Sequence, residues 1–213
     1  MILLALLLQA APCPNPDALP PRVAEARCAG VALARIEKWQ QAAELFEGAA
    51  KALNDAKAAR LWAQAGNAWL AAGEAARAGA ALDSALVWSA GLSAAEKGEL
   101  QLDRARAAVA AGQLEAGRTV LDQALASVPD HPLAWLLSAT LARRMGQPRR
   151  AATDIAEALK RAPEDAAVQL EAGNIAALAG DRAKARERWA EAARLQPDGA
   201  TGRAAKAALA QFD

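Results

Sequence analysis

Small and bulky apolar residues return along this chain at fixed offsets, with polar residues filling the positions between them. Pro129, Pro163 and Pro197 stand 34 residues apart, as do Gly112, Gly146 and Gly180. Ala124, Ala158 and Ala192 keep the same interval, and so do Leu121, Ile155 and Trp189. A self-similar period of this length marks an array of helical units stacked on one another, not a domain with one central core. Strand formers are sparse, and no clear period-two run of Val, Ile, Thr and aromatics appears. Ala, the best helix former, supplies about three residues in ten. The predicted class is all-α.

Read outwards from the two cleanest copies, the pattern gives five units, at about 23–56, 59–92, 98–131, 132–165 and 166–199, with a closing helix over 200–213. Gly66, Ala105, Ala139 and Gly173 remove bulk where the two helices of a unit cross. Gly73, Gly112, Gly146 and Gly180 are placed to end the first helix in the left-handed conformation. Phe46, Leu82, Leu121, Ile155 and Trp189 are expected to fill the space between one unit and the next. Pro129, Pro163 and Pro197 stop the second helix. The second and third units are five residues further apart than the rest, and the surplus falls in residues 89–98, SAGLSAAEKG, just after Trp88. A longer turn or an extended helix is expected there.

The pattern resembles the tetratricopeptide repeat. Trp62, Gly66 and Trp69 match the large residue, glycine and aromatic of that family's first helix. Ala185, Trp189, Ala192 and Pro197 match its second helix and closing proline. The chain departs from it at Ala108, Ala142 and Ala176, which replace the first-helix aromatic in the last three units. The resemblance implies an α-α superhelix, a right-handed solenoid of antiparallel helix pairs whose concave wall is made by the first helices. It also implies a set of wall positions, which here carry Arg27, Arg35, Arg60, Asn67, Arg106, Thr140, Arg143, Arg144 and Asn174. Glu99 is the one acid among them, so the wall is expected to be basic and to suit an acidic or carboxylate-bearing peptide. The alternative is that these arginines are solvated or paired with acids on neighbouring helices. Asn67 and Asn174 match the asparagine of the family's carboxylate clamp, but Ala63 and Leu170 stand where its lysine belongs.

Charge and composition add little to this. With 25 basic and 24 acidic residues the chain is close to neutral, and nothing in the total points to nucleic acid. The single histidine, His131, stands beside Pro132 in a turn, where an exposed cap is expected. It has no sequence-visible partners for a catalytic set. No metal-ligand cluster, phosphate loop or cofactor motif is visible, and a non-catalytic chain is expected. Trp62, Trp69, Trp135 and Trp189 fall on packing positions. Trp39 and Trp88 lie off them and are candidate exposed anchors.

Residues 1–11, MILLALLLQAA, are too short to span a bilayer as a helix. They resemble the core and cleavage end of a secretory signal, although the usual basic start is missing. The Pro-rich leader at 12–21 cannot be helical. Cys13 in the leader and Cys28 in the first helix are the chain's two cysteines, and after export a disulfide between them is expected. Location in the periplasm or outside the cell follows, with the cytoplasm as the alternative. The expected function is a protein-interaction module that holds a partner's peptide in its groove. The rival is a self-associating scaffold subunit of an envelope assembly.

Overall fold

The computed structural model describes residues 13, 14 and 17–212, so the expected signal at 1–11 lies outside the described residues. Eleven α-helices and no strand are found among them, in two compact units, Met1–Ser93 and Ala94–Asp213. The first unit holds α1 (Pro21–Arg35), α2 (Trp39–Lys51), α3 (Ala58–Ala71) and α4 (Ala75–Val87). The second holds α5 (Ala94–Ala110), α6 (Leu114–Ser127), α7 (Pro132–Arg144), α8 (Pro148–Arg161), α9 (Ala166–Leu178), α10 (Arg182–Leu195) and α11 (Ala200–Phe212). Within each unit, helices joined by short turns pack as consecutive pairs, and the second helix of a pair also packs on the next pair, as α2 does on α3 and α8 on α9.

Each pair is keyed by a small residue facing a large one. A Cβ added at Gly30 would lie 2.7 Å from the Phe46 ring, one at Gly66 2.5 Å from Leu82 Cγ, and one at Gly173 2.4 Å from Trp189 Cδ1. These approaches leave no room for a methyl group, so glycine is what lets the helices of a pair cross this closely. They also add to one expectation. Phe46, Leu82 and Trp189 fill the crossing inside their own pair, where the missing side chain makes space. Ile155 and Trp189 reach onward as well, Ile155 packing with Val168, Ala172 and Ile175 of α9 and Trp189 with Ala205 of α11.

The turns between paired helices follow one backbone recipe. Gly73, Gly112, Gly146 and Gly180 all have φ between +67° and +80°, and each lies at the end of a first helix. In the first pair the corresponding residue is Glu37, held at φ +59°. A side chain in that region costs about 1 kcal/mol or more.

The five surplus residues divide between a 3-10 turn at Ser89–Gly91 and a longer α5 of 17 residues. α11 closes the second unit: the Phe212 ring meets Trp189 edge-on at 5.0 Å between centroids, and Arg182 Nη2 donates to the Phe212 carbonyl at 2.7 Å.

A polar ring that the sequence pattern did not predict lies among α6, α7 and α8, with Arg118, Ser138 and Asp154 buried and Asp122 and Arg150 at its open side. Arg118 donates to Ser138 Oγ at 2.9 Å and to Asp122 Oδ1 at 2.6 Å. Ser138 in turn donates to Asp154 Oδ2. Arg150 bridges Asp122 and Asp154. Burial pushes the Arg118 guanidinium below its usual pKa, and the hydrogen bond to Asp122 pushes it back up. Ser138 is fully buried, so its hydroxyl is satisfied only by accepting from Arg118 and donating to Asp154.

Candidate functional site

The predicted wall residues do lie on first helices, but the structure engages most of them internally. Arg27 of α1 donates through Nη1 to the Pro14 carbonyl at 2.7 Å. Arg60 of α3 pairs with Asp17 at 2.6 Å. Arg106 of α5 pairs with Asp103 one turn back at 3.0 Å. Arg143 of α7 grips Glu171 of α9 with two hydrogen bonds, at 2.6 and 3.2 Å. Arg144 donates to the Val109 carbonyl at 3.2 Å. Asn174 donates to Glu171 and accepts from Trp189 Nε1 at 3.0 Å. Arg35 ends α1 and Asn67 lies on α3, both exposed, while Thr140 on α7 is half-buried.

The wall is therefore less basic than the arginine positions alone imply. Asp17, Asp103 and Glu171 face those arginines from the leader, from α5 and from α9. Glu171 is buried, and Arg143 offsets the cost of placing its carboxylate out of water.

Within the second unit, first helices adjoin one another, and α5 and α7 part to form a cleft of about 350 Å³. Leu102, Leu136 and Leu137 line its apolar part, and Leu133, half exposed, stands at its edge. Its polar groups are Glu99, Asp103, Arg106, His131 and Thr140. Two of the predicted wall residues, Arg106 and Thr140, are thus brought together. His131 is not the exposed cap expected: it is half-buried, with Nε2 3.3 Å from Glu99 Oε1. A leucine-lined hollow with a few polar groups at its rim can hold one apolar side chain and fix the backbone on either side.

The tryptophans also need revision. Trp88 is half-buried. It caps α4 and packs against the cluster of Leu19, Val23, Ala49, Ala50, Leu53, Ala58 and Leu61. Trp39, at the start of α2, is half-buried. Among the described residues the exposed large apolar ones are Ile36, Val87, Leu133 and Leu178. No sequence signal separated these four from ordinary leucines and valines.

Cys13 and Cys28 are joined by a disulfide. Among the described residues no group of His, Cys, Asp or Glu is placed to hold a metal ion. No helix among them is long and apolar enough to cross a membrane.

Two profiles of the tetratricopeptide repeat match the sequence, over residues 98–141 and 136–200. This is a tetratricopeptide-repeat protein. The profiles stop short of the first unit, where Gly30–Phe46 and Gly66–Leu82 nevertheless repeat the crossing seen at Gly173–Trp189. No curated protein matches the sequence. Among solved structures, YrrB, described as a TPR protein with an unusual peptide-binding site, is 21% identical with a TM-score of 0.61 over 85% of this chain and 90% of that one. MamA from Desulfovibrio magneticus is 17% identical with a TM-score of 0.70, covering 86% and 99%. A thermophilic TPR protein from Thermus thermophilus is 18% identical with a TM-score of 0.66, covering 89% and 98%. At these identities the likeness is one of fold. The tetratricopeptide-repeat fold is a protein-interaction scaffold, typically non-catalytic, and implies a protein partner.

Proposed function

We propose that this protein is a non-catalytic docking module that holds a peptide segment of a partner protein against its first helices, with the α5–α7 cleft as the main seat. The observation that carries this reading is the cleft itself: a leucine-lined hollow with Arg106, Thr140, Glu99 and His131 around it, and half-exposed Leu133 at its edge. An apolar anchor residue buried there, with flanking backbone or carboxylate groups meeting Arg106, is the expected mode. The fold shared with YrrB, whose structure is described as having a peptide-binding site, supports the same reading. We place the protein in the bacterial cell envelope. Residues 1–11 and the Cys13–Cys28 disulfide support that location.

The test is selection of binders from a displayed peptide library, followed by binding to Leu133→Asp and Arg106→Ala variants of the full chain. Selected peptides should bind the wild type and lose most of their affinity for both variants. Peptides that bind all three equally would remove the cleft from consideration.

A self-associating scaffold is the second reading. Exposed Leu178 beside an apolar hollow lined by Ala151, Ile175 and Pro148 favours it. A stable homo-oligomer in solution that Leu178→Asp dissociates would establish that reading instead.

A further inference from the structure

In the first unit the leader does not hang free of the helices. It runs back from Pro20, the N-cap of α1, to Cys13, which is bonded to Cys28 two turns along that helix. On the way it touches both first helices. Arg27 of α1 donates to the Pro14 carbonyl at 2.7 Å. Lys57, the N-cap of α3, donates through Nζ to the Ala18 carbonyl at 3.2 Å, and Arg60 grips the Asp17 carboxylate at 2.6 Å. Leu19 is buried among Val23, Ala49, Ala50, Leu53, Ala58 and Leu61. Two carbonyls taken by cations, one carboxylate taken by an arginine, and one leucine in a hydrophobic seat are the contacts by which a surface reads an extended peptide.

We propose that the face formed by α1 and α3 is a docking site for an extended acidic peptide, and that Pro14, Asp17, Ala18 and Leu19 of this chain occupy it as a built-in ligand. The inference rests on reading the first helices as peptide-binding faces. It assigns the chemistry of the ligand at this face: an Asp or Glu for Arg60, an apolar residue two positions later, and free backbone carbonyls such as prolines leave. Tethering gives the leader an effective concentration in the millimolar range, and the disulfide closes the tether, so an external peptide is shut out while the bond is intact. A dithiol reductant opens it. The Cys13–Cys28 bond breaks, each sulfur leaves as a thiol with one electron and one proton from the reductant, and the reductant's two thiols become a disulfide.

The experiment uses the full chain with Cys13→Ser, and the same variant carrying Arg60→Ala in addition. The leader is read by cleavage at Asp17 with an Asp-specific endoproteinase and mass detection. The site is read with a fluorescein-labelled probe peptide, Pro-Ser-Pro-Asn-Pro-Asp-Ala-Leu-Pro. The expected result is that Cys13→Ser exposes Asp17 and binds the probe roughly tenfold or more tightly than the oxidised wild type, because the leader is then held by its backbone end alone. Changing the probe's Asp to Asn, or adding Arg60→Ala, should weaken binding by roughly fivefold or more, the cost of a charge-assisted hydrogen bond. Should the leader stay protected in Cys13→Ser and open when Arg60→Ala is added, the site holds it without the covalent tie, which also upholds the proposal. Protection that survives Arg60→Ala overturns it, and so does an open leader with no gain in probe binding. None of these substitutions touches the α5–α7 cleft. Library-selected peptides that still bind there would confine a failure to this inference.

Discussion

Arg143 of α7 holds the buried carboxylate of Glu171 on α9 through Nε and Nη2, and Asn174 joins the same carboxylate from one turn on. A residue that sequence position marks as a ligand-binding arginine is thus also a strut between two first helices. Its replacement by Ala leaves Glu171 buried without its cation, and we expect a loss of about 2 kcal/mol in stability. The double variant with Glu171→Gln should recover part of that loss. Urea denaturation of the four proteins of this cycle measures it, and a Glu171→Gln background that recovers nothing would refute the strut.

Glu37 occupies the turn position that glycine holds in four later pairs, with φ +59°. Glu37→Gly should raise stability by about 0.5–1 kcal/mol, because relief of the left-handed strain exceeds the entropy that glycine adds to the unfolded chain. The midpoint of thermal unfolding reads this directly, and a fall in that midpoint would contradict it.

Gly48 and Gly173 both lie inside helices, yet alanine should act on them in opposite directions. Nothing stands within 4 Å of a Cβ at Gly48, so Gly48→Ala should stabilise by about 0.5–1 kcal/mol. At Gly173 the new methyl would meet the Trp189 ring at 2.4 Å, and Gly173→Ala should cost about 2 kcal/mol or more. Near-ultraviolet circular dichroism of Trp189 should change only in the second variant.

Ser138→Ala removes one hydroxyl from the ring of Arg118, Asp122, Asp154 and Arg150. Arg118 Nη1 loses its acceptor and Asp154 loses a donor, so the expected loss is about 1–3 kcal/mol, well beyond the value of one methyl-sized change. A Ser138→Thr variant, which keeps the hydroxyl, should lose less on this account in the same denaturation experiment.

Acidification should weaken the second unit through two surface carboxylates. Hydrogen bonds from Arg161 and Arg194 hold the pKa values of Glu157 and Glu191 below the ordinary glutamate value. A carboxylate with a depressed folded-state pKa contributes stability above its unfolded pKa, and that contribution is lost as pH falls through the folded value. Denaturation midpoints between pH 7 and pH 3 should therefore drop less in the double variant Glu157→Gln, Glu191→Gln, and less again in high salt. Equal slopes for the two proteins would count against these pairs.

What the sequence made legible was the part of the fold that depends on period. A glycine facing Trp189 and a glycine in the turns of the last four pairs are local demands of the backbone, and local demands leave a mark at fixed offsets. Partners that meet across helices leave no such mark. Asp103, Glu171 and Asp17 balance the arginines of the wall, but their spacing from Arg106, Arg143 and Arg60 is 3, 28 and 43 residues, with no common rule. Trp88 escaped for a similar reason. The cluster it packs against includes Leu19, in a proline-rich stretch that carries no periodic signal.

The ring that joins Arg118 and Asp122 of α6 to Ser138 of α7 and to Arg150 and Asp154 of α8 crosses the junction between the third and fourth repeats. Repeats that meet only through apolar faces can be exchanged, deleted or duplicated like beads of similar size. These two are tied by polar bonds instead: a chain parted between residues 131 and 132 would take Ser138 from the buried Arg118 guanidinium and Arg150 from Asp122. The third and fourth repeats should consequently melt together and accept no foreign repeat between them.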